Sequence, residues 1–424
     1  MKEFYKKFIL NTFDKAQSGS LELKLPSGEI RIFGSHRSDR IAYLHIHDET
    51  FFKDLILRND IGLGEGYELK KWDSEDLTGL VSWLLINQPY FKGATNPVFI
   101  KLAQSALLLF ERFVHFRNRN SIDQSRENIR FHYDLGNTFY ESFLDSSMTY
   151  SSAFFAHEGL NLEDAQREKY DRICRKINLQ SNHHLLEIGT GWGGFAIHAA
   201  REYGCKITTT TISREQFHFA VQRVNEYNLG DHIDVKFQDY RTLTGTYDRI
   251  VSIEMLEAVG HRYLGAYFSQ CNNLLSPDGL AAYQVITCPN SLYNSYTQKV
   301  DWIRKYIFPG GHLPSIDSIT DSIAKEKVGW DLYHMESFGL HYAQTLACWR
   351  DQFENGHSNS RTDNFAESFA RRWNFYLSYC EAGFLQRHVN VVQLVFGKPD
   401  IGSYQFESAV IQKEPQKLSV QSVS

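Results

Sequence analysis

The chain of 424 residues has no two cysteines at C-x-x-C spacing. Its six cysteines (Cys174, Cys205, Cys271, Cys288, Cys348 and Cys380) show no metal-ligand spacing either, which points to a reducing cytoplasm and to no metal centre. Long apolar runs are missing as well. The longest, around Leu80 to Ile86 and Ala106 to Phe110, fall far short of the roughly 20 residues that a bilayer crossing needs. Lys2, Lys6 and Lys7 precede only Phe8-Ile9-Leu10, too short a run for a signal peptide. A strong charge of one sign is also absent. The net charge of −5 gives no electrostatic argument for nucleic acid. These absences leave a soluble protein that meets a membrane only from the side. What is present is apolar and aromatic bulk, 42% and 14% of the residues, enough for two or three domains with large cores.

The most informative stretch is Leu185-Leu186-Glu187-Ile188-Gly189-Thr190-Gly191-Trp192-Gly193-Gly194, followed by the helical pattern Phe195 to Ala200. It reads as a strand, a turn without Cβ atoms and a helix N-terminus, so that a ligand can lie directly on the backbone. Gly189, Gly191 and Gly194 nominally fit the dinucleotide fingerprint G-x-G-x-x-G. That reading requires an acid at the end of the second strand. Lys206 to Thr211 ends in threonine instead, and the acid, Glu187, stands before the first glycine. This is the arrangement of class I methyltransferases that bind S-adenosylmethionine, whose ammonium group an acid there can help to hold.

Around it the chain alternates strand and helix. Strands are expected to end at Glu187 and to cover 206–211, 233–237, 249–253 and 281–287; helices are expected over 194–203, 213–228 and 262–275. That rhythm implies a mostly parallel, doubly wound α/β sheet of the Rossmann-like class. Ser276-Pro277-Asp278-Gly279 reads as a turn, and a last strand falls near His388 to Phe396. Upstream, residues 1–110 read as a small α+β domain. An amphipathic helix carries Phe4, Tyr5, Phe8, Ile9 and Phe13, a hairpin turns at Pro26-Ser27-Gly28, and Ile41 to His47 forms a third strand. His45 and His47 share one face of that strand, which reads as solvated because no third ligand stands nearby. Residues 111–130, with Arg112, Arg117, Arg119, Arg126 and Arg130, read as a basic linker; 131–400 form the donor-binding domain, and 401–424 a loose tail.

Further motifs accumulate along the chain. They include His132-Tyr133-Asp134-Leu135-Gly136-Asn137, Met148-Thr149-Tyr150-Ser151-Ser152-Ala153, Gly191-Trp192-Gly193-Gly194 and Thr211-Ile212-Ser213-Arg214-Glu215-Gln216. Gln238-Asp239-Tyr240-Arg241, Asp248 to Met255, Tyr306-Ile307-Phe308-Pro309-Gly310-Gly311 and Phe384 complete the set. Together they resemble the cyclopropane-fatty-acyl-phospholipid synthase family, with its mycolic acid relatives, over residues 20 to about 398. The resemblance implies methyl transfer from S-adenosylmethionine to the double bond of an unsaturated acyl chain in a membrane phospholipid. A carbocation results, and in the family a bound bicarbonate ion is thought to deprotonate it.

By the same resemblance, Glu257 and Tyr342 belong to the bicarbonate site, and Ile286 contributes to it through its backbone. Cys380 matches the cysteine historically assigned to the active site, although the residue alone reads as a buried helical cysteine. Tyr150 and Ser151 match residues that close over the donor, and Glu187, Gly189, Gly191, Trp192 and Gly193 the turn beneath it. Thr211, Ile212, Ser213 and Gln216 match the ribose side, Asp239 and Tyr240 the adenine side.

Three positions depart from the common pattern: Ser152 where many members have cysteine, Gln284 where many bacterial members have histidine, and Ala258 where histidine is common. Gln284 and Glu257-Ala258-Val259-Gly260 resemble a plant-like branch, and they bear on the product, since failed ring closure diverts the cation to a methyl-branched chain. Glutamine and serine keep groups able to hold an anion, so an altered rather than a dead site is expected. The alternatives are methylation of a soluble small molecule and a binding protein that has lost catalysis. The expected partner is a bilayer surface at the inner face of the membrane, with no nucleic acid, and a homodimer is compatible with the sequence.

Overall fold

The structure, a computed structural model, describes residues 2–34, 41–91, 104, 135–358 and 367–399. The expected linker 111–130, the tail 401–424, the helical pattern from Val98 to Phe116 (Gln104 apart) and His132-Tyr133-Asp134 lie outside these residues. The chain divides into two compact units. One comprises Met1–Arg119, Asn294–Pro309 and Trp349–Val389, the other Asn120–Tyr293, Gly310–Cys348 and Asn390–Ser424. Residues 294–309 and 349–389, expected in the donor-binding domain, therefore group with the first unit. Aromatic packing explains the grouping: Phe375 of the helix Glu367–Leu385 lies 4.8 Å from Trp302 and 6.0 Å from Tyr67, ring centre to ring centre. No local sequence signal announces contacts of such long range.

The first unit holds a four-stranded sheet in the order β2-β1-β3-β4, formed by β1 (Ser20–Lys24), β2 (Ile30–Gly34), β3 (Ile41–Ile46) and β4 (Trp72–Asp73). β1 and β2 make the expected hairpin, turned at Gly28 (φ +87°), where a side chain would be strained. The helix Lys2–Phe13 buries Tyr5, Ile9, Leu10 and Phe13, as a helix packed on its own domain should. Just past the end of β3, the exposed His47 pairs with Asp73 at 2.9 Å.

The second unit is built on a seven-stranded sheet. Its strands are β5 (His184–Ile188), β6 (Lys206–Thr211), β7 (Ile233–Phe237), β8 (Tyr247–Ile253), β9 (Leu275–Thr287), β10 (Asp331–Ser337) and β11 (Asn390–Gly397), in the order β7-β6-β5-β8-β9-β11-β10. The five strands from β7 to β9 are parallel, and β11 runs antiparallel to both neighbours. β5 does not alternate buried with exposed residues because both faces of a parallel sheet are covered, and Leu185, Leu186, Glu187 and Ile188 are all buried. The threonines of β6 suit a strand by β-branching, and their buried hydroxyls are satisfied: Thr208 by His184, Thr209 by Glu187 and Thr211 by Gln216.

Two details correct the expected pattern. The turn at Ser276–Gly279 is taken up inside β9, where the pairing with β8 slips between Leu275 and Leu280. β10 stands outside the expected strands; its pairing with β11 spans more than 50 residues of sequence, and its exposed positions mix polar Asp331 and Ser337 with apolar Leu332 and Met335. Among the described residues, no helix is long and apolar enough to cross a membrane.

Candidate donor cleft and carboxylate cluster

β5 and β8 are adjacent, and their connections leave in opposite directions along the sheet. Their carboxyl ends therefore border the crevice where open α/β sheets collect ligands. Leaving β5, the chain passes Gly189 (φ +103°), Gly191 (φ +52°) and Gly193 (φ +87°) before the helix Gly194–Tyr203 begins. A Cβ on Gly189 would press on Met255, whereas one on Gly191 would enter open space in the cleft. Gly193 supplies the left-handed residue at the helix start and does not itself line the cleft.

The cleft gathers most of the residues expected around the donor. Tyr150, Ser151, Glu187, Gly189, Gly191, Trp192, Thr211, Ile212, Gln216, Asp239 and Tyr240 all line it. Ser213 stands behind them as the cap of the helix Arg214–Glu226, its hydroxyl accepting from the Gln216 N–H at 3.3 Å. Trp192 is fixed by a 2.8 Å bond from Nε1 to Asn137, and its ring lies 4.8 Å from Tyr140; Tyr150 packs 5.4 Å from Tyr140 on another side. Asp239 is held by Arg241, whose Nε donates at 2.8 Å.

The ionisable groups that line the cleft are mostly carboxyls, Glu187, Asp239 and Glu254 against Arg241. Burial pushes the Glu187 carboxyl up to about 8, partly offset by the 2.6 Å bond from Thr209 and by Lys169. Lys169 is wholly buried, donates to Ser151 Oγ at 2.8 Å and lies 4.4 Å from the Tyr170 ring centre. Burial lowers its ammonium to about 7 against the pull of Glu254, Asp145 and Glu187. Such a floor favours a cationic ligand.

At the end of β8 a second cluster forms. Glu254 Oε1 accepts the Ser152 N–H at 2.9 Å and Gln284 Nε2 at 2.8 Å, and Oε2 accepts the Tyr342 hydroxyl at 2.7 Å. Gln284 cannot turn its amide over without loss. Its Oε1 accepts Gln393 Nε2 at 3.0 Å across the β9–β11 pairing, and Gln393 Oε1 in turn accepts Lys176 Nζ. One turn on from Glu254, Glu257 Oε1 accepts the Ile286 N–H at 2.5 Å, while its buried Oε2 has no hydrogen-bond partner among the described residues. Burial and the neighbouring Glu254 push Glu257 up to about 8, so it is largely protonated at neutral pH.

Ser152, Gln284, Ile286, Tyr342 and Glu257 are thus brought together, with Glu254 among them. Cys380 belongs to the first unit, not to the unit that holds this cluster, and burial together with Asp301 raises its thiol far above the ordinary value. No thiolate forms there at neutral pH, so the catalytic role that the resemblance implied for it finds no support in its surroundings. Sequence reasoning assigned no role to Glu254 or Lys169, though both carried a signal. Glu254 is an acid directly after the apolar strand Ile250-Val251-Ser252-Ile253. Lys169 shares a helical stripe with Ala165, Ile173 and Lys176, all buried.

Comparison with known proteins follows the same lines. The model of the mycolic acid cyclopropane synthetase family matches residues 120–394. Tuberculostearic acid methyltransferase UfaA1 of Mycobacterium tuberculosis is 38% identical over 362 residues, 84% of this chain and 83% of that protein. The cyclopropane-fatty-acyl-phospholipid synthase of Escherichia coli K12 is 32% identical over 370 residues, 87% of this chain and 90% of its own. Among solved structures, mycolic acid cyclopropane synthase CmaA1 complexed with SAH and CTAB superposes with a TM-score of 0.60 at 29% identity, covering 64% of this chain and 98% of that one.

Proposed function

The chain belongs to the mycolic acid cyclopropane synthetase family and is an S-adenosylmethionine-dependent methyltransferase, and from that premise we propose that it adds one carbon to the double bond of unsaturated acyl chains in membrane phospholipids. The observation that carries the reading is the carboxylate of Glu254, steadied by three donors on the cleft wall beside apolar Ile253, Met255 and Val259. An alkene has no proton to lose before it attacks; its charge appears afterwards, on carbon. A fixed negative group in a water-poor wall is what such a charge needs.

The residues fit the donor. Gly191 leaves open the space that a Cβ would fill, and the raised carboxyl of Glu187 gains a counter-ion from an ammonium group. When bound, S-adenosylmethionine supplies an electrophilic methyl group on a sulfonium. Glu187 would hold its ammonium, Thr211 and Gln216 the ribose, and Asp239 the adenine amine, while Tyr150 and Trp192 keep water from the methyl.

Bicarbonate fits less well. Its expected ligands Ser152, Gln284 and Tyr342 already donate to Glu254, and Ile286 donates to Glu257, so no step is routed through that ion.

Electron balance limits the product. Loss of a proton from the cation gives a cyclopropane ring or a methyl-bearing alkene, whereas a saturated methyl branch requires a further reductant. A methyl-branched product is the second reading, favoured by the similarity to a protein named as a methyltransferase rather than a cyclopropane synthase. Work at the inner face of the membrane, from the cytoplasm and with the bilayer as partner, belongs to the same proposal.

The test is expression in a host lacking the activity, with mass spectrometry of its phospholipids. A gain of one CH2 on monounsaturated chains is expected, and retro-fragmentation separates ring from branch. Unchanged lipids alongside folded, donor-binding protein would overturn the reading in favour of a soluble acceptor or of lost catalysis.

A further inference from the structure

We propose that Glu254 is the built-in base of this enzyme, its carboxylate occupying the anion site for which a dissolved bicarbonate would otherwise be needed. The inference rests on the lipid-modifying reading above. Two independent observations carry it. The first is the set of donors: Ser152 N–H, Gln284 Nε2 and Tyr342 hydroxyl, from three separate segments, all end on one carboxylate. A planar carboxylate with donors on both oxygens reproduces, in a side chain, the charged O–C–O edge of bicarbonate.

The second is the backbone. Glu254 has φ +51°, in the left-handed region that glycine enters freely and a glutamate enters only at a cost. Its own N–H donates to Gln284 O at 2.7 Å, which fixes that conformation. A strained residue whose side chain is fully engaged at a ligand-binding strand end is retained for what the side chain does.

The surrounding groups suit a base. Glu257, pushed up to about 8, keeps its own proton at neutral pH and so adds no second negative charge, while the charge of Lys169 and the three donors favour the ionised form of Glu254. Burial raises the Glu254 carboxyl above its ordinary value, which strengthens it as a proton acceptor, while Tyr342, Gln284 and Ser152 pull in the opposite direction.

The step balances. After the methyl carbon has bonded to one alkene carbon, the other is cationic. A Glu254 oxygen takes a proton from the new methyl, and the C–H electron pair closes the third side of the ring. The carboxyl leaves neutral and returns its proton to solvent after product release. No oxidant, reductant or dissolved ion takes part.

The experiment uses the full-length protein, Glu254→Gln and Glu254→Gly, the last relieving the positive φ. Carbon-13 bicarbonate binding is followed by NMR and donor binding by calorimetry, with no lipid present. Turnover on vesicles of monounsaturated phosphatidylethanolamine and phosphatidylglycerol is then measured in carbonate-stripped and bicarbonate-supplemented buffer. All three proteins should bind the donor within about threefold of one another. The wild type and Glu254→Gln should bind no bicarbonate, and Glu254→Gly should bind it. Wild-type turnover should not change on stripping, Glu254→Gln should lose at least about 100-fold in either buffer, and Glu254→Gly should recover with bicarbonate. Bicarbonate binding by the wild type, a bicarbonate requirement for its turnover, or full turnover by Glu254→Gln would each overturn the inference and leave the lipid reading standing. Should no protein turn over lipid, the lipid reading fails. The binding arm then decides whether Glu254 fills the anion site, and absence of bicarbonate binding by Glu254→Gly also counts against it.

Discussion

The two halves of the seven-stranded sheet make their sites in different ways. On the β5–β6–β7 side the donor cradle is mostly backbone: glycines at positive φ within five residues, then a helix N-terminus, with a row of threonines behind them. On the β8–β9–β11 side the carboxylate cluster is mostly side chain, assembled from residues 152, 254, 284 and 342 and braced by residue 393. The first half can be damaged by adding atoms, the second by removing them.

The largest effect should come from the backbone half. Gly191→Val places a β-branched side chain at φ +52°, pointing into the space the donor needs. Calorimetry should show donor affinity reduced by at least about 100-fold. If affinity holds within threefold, the donor does not lie on this turn, and the contrast between the halves collapses.

Next comes the one acid that belongs to the cradle. In the donor-free protein the Glu187 carboxyl sits at about 8, so at neutral pH it is mostly protonated, and pairing with the donor's ammonium must expel that proton. Affinity should therefore rise with pH between about 6 and 7.5, below the range in which an α-amino group itself titrates. Glu187→Gln should bind roughly 30-fold more weakly at pH 7.5 and lose most of the slope. A slope unchanged in the variant would assign it to another group, with Lys169 first in line.

The smallest effect tests the brace. Gln393→Leu leaves Gln284 Oε1 without its donor and Lys176 without one acceptor, both buried. Stability should fall by roughly 1–3 kcal/mol, the usual cost of orphaned buried polar groups. Turnover should fall about tenfold through disorder of Gln284, with donor affinity unchanged. Equal losses in turnover and donor affinity would mean that the two halves are not separable.

The same contrast explains what could be read in advance. The cradle was legible because its parts are neighbours in sequence: an apolar run, an acid and alternate glycines carry their own geometry. Asp239 was legible for a related reason, since it stands just past a parallel strand. Gln284, Ser152 and Tyr342 could be flagged only by likeness to a family, and nothing local said that they share one acceptor. Gln284 and Gln393 are 109 residues apart and meet because β11 enters the sheet antiparallel beside β9. Likeness also pointed to Cys380, whose surroundings keep it a neutral thiol among carboxyls and aromatic rings. Lys169 escaped notice because a lysine on a helical stripe reads as solvated until the stripe is known to be buried.

The awkward torsion angle at Glu254 has a physiological consequence. Bicarbonate is drawn from dissolved carbon dioxide, so a catalyst that borrows it has its rate tied to gas tension and carbonic equilibria in the cell. A carboxylate fastened to a strand end is present at full occupancy in every molecule, whatever the atmosphere. The lipid modification proposed for this chain should then proceed as readily under carbon dioxide starvation as in saturated medium.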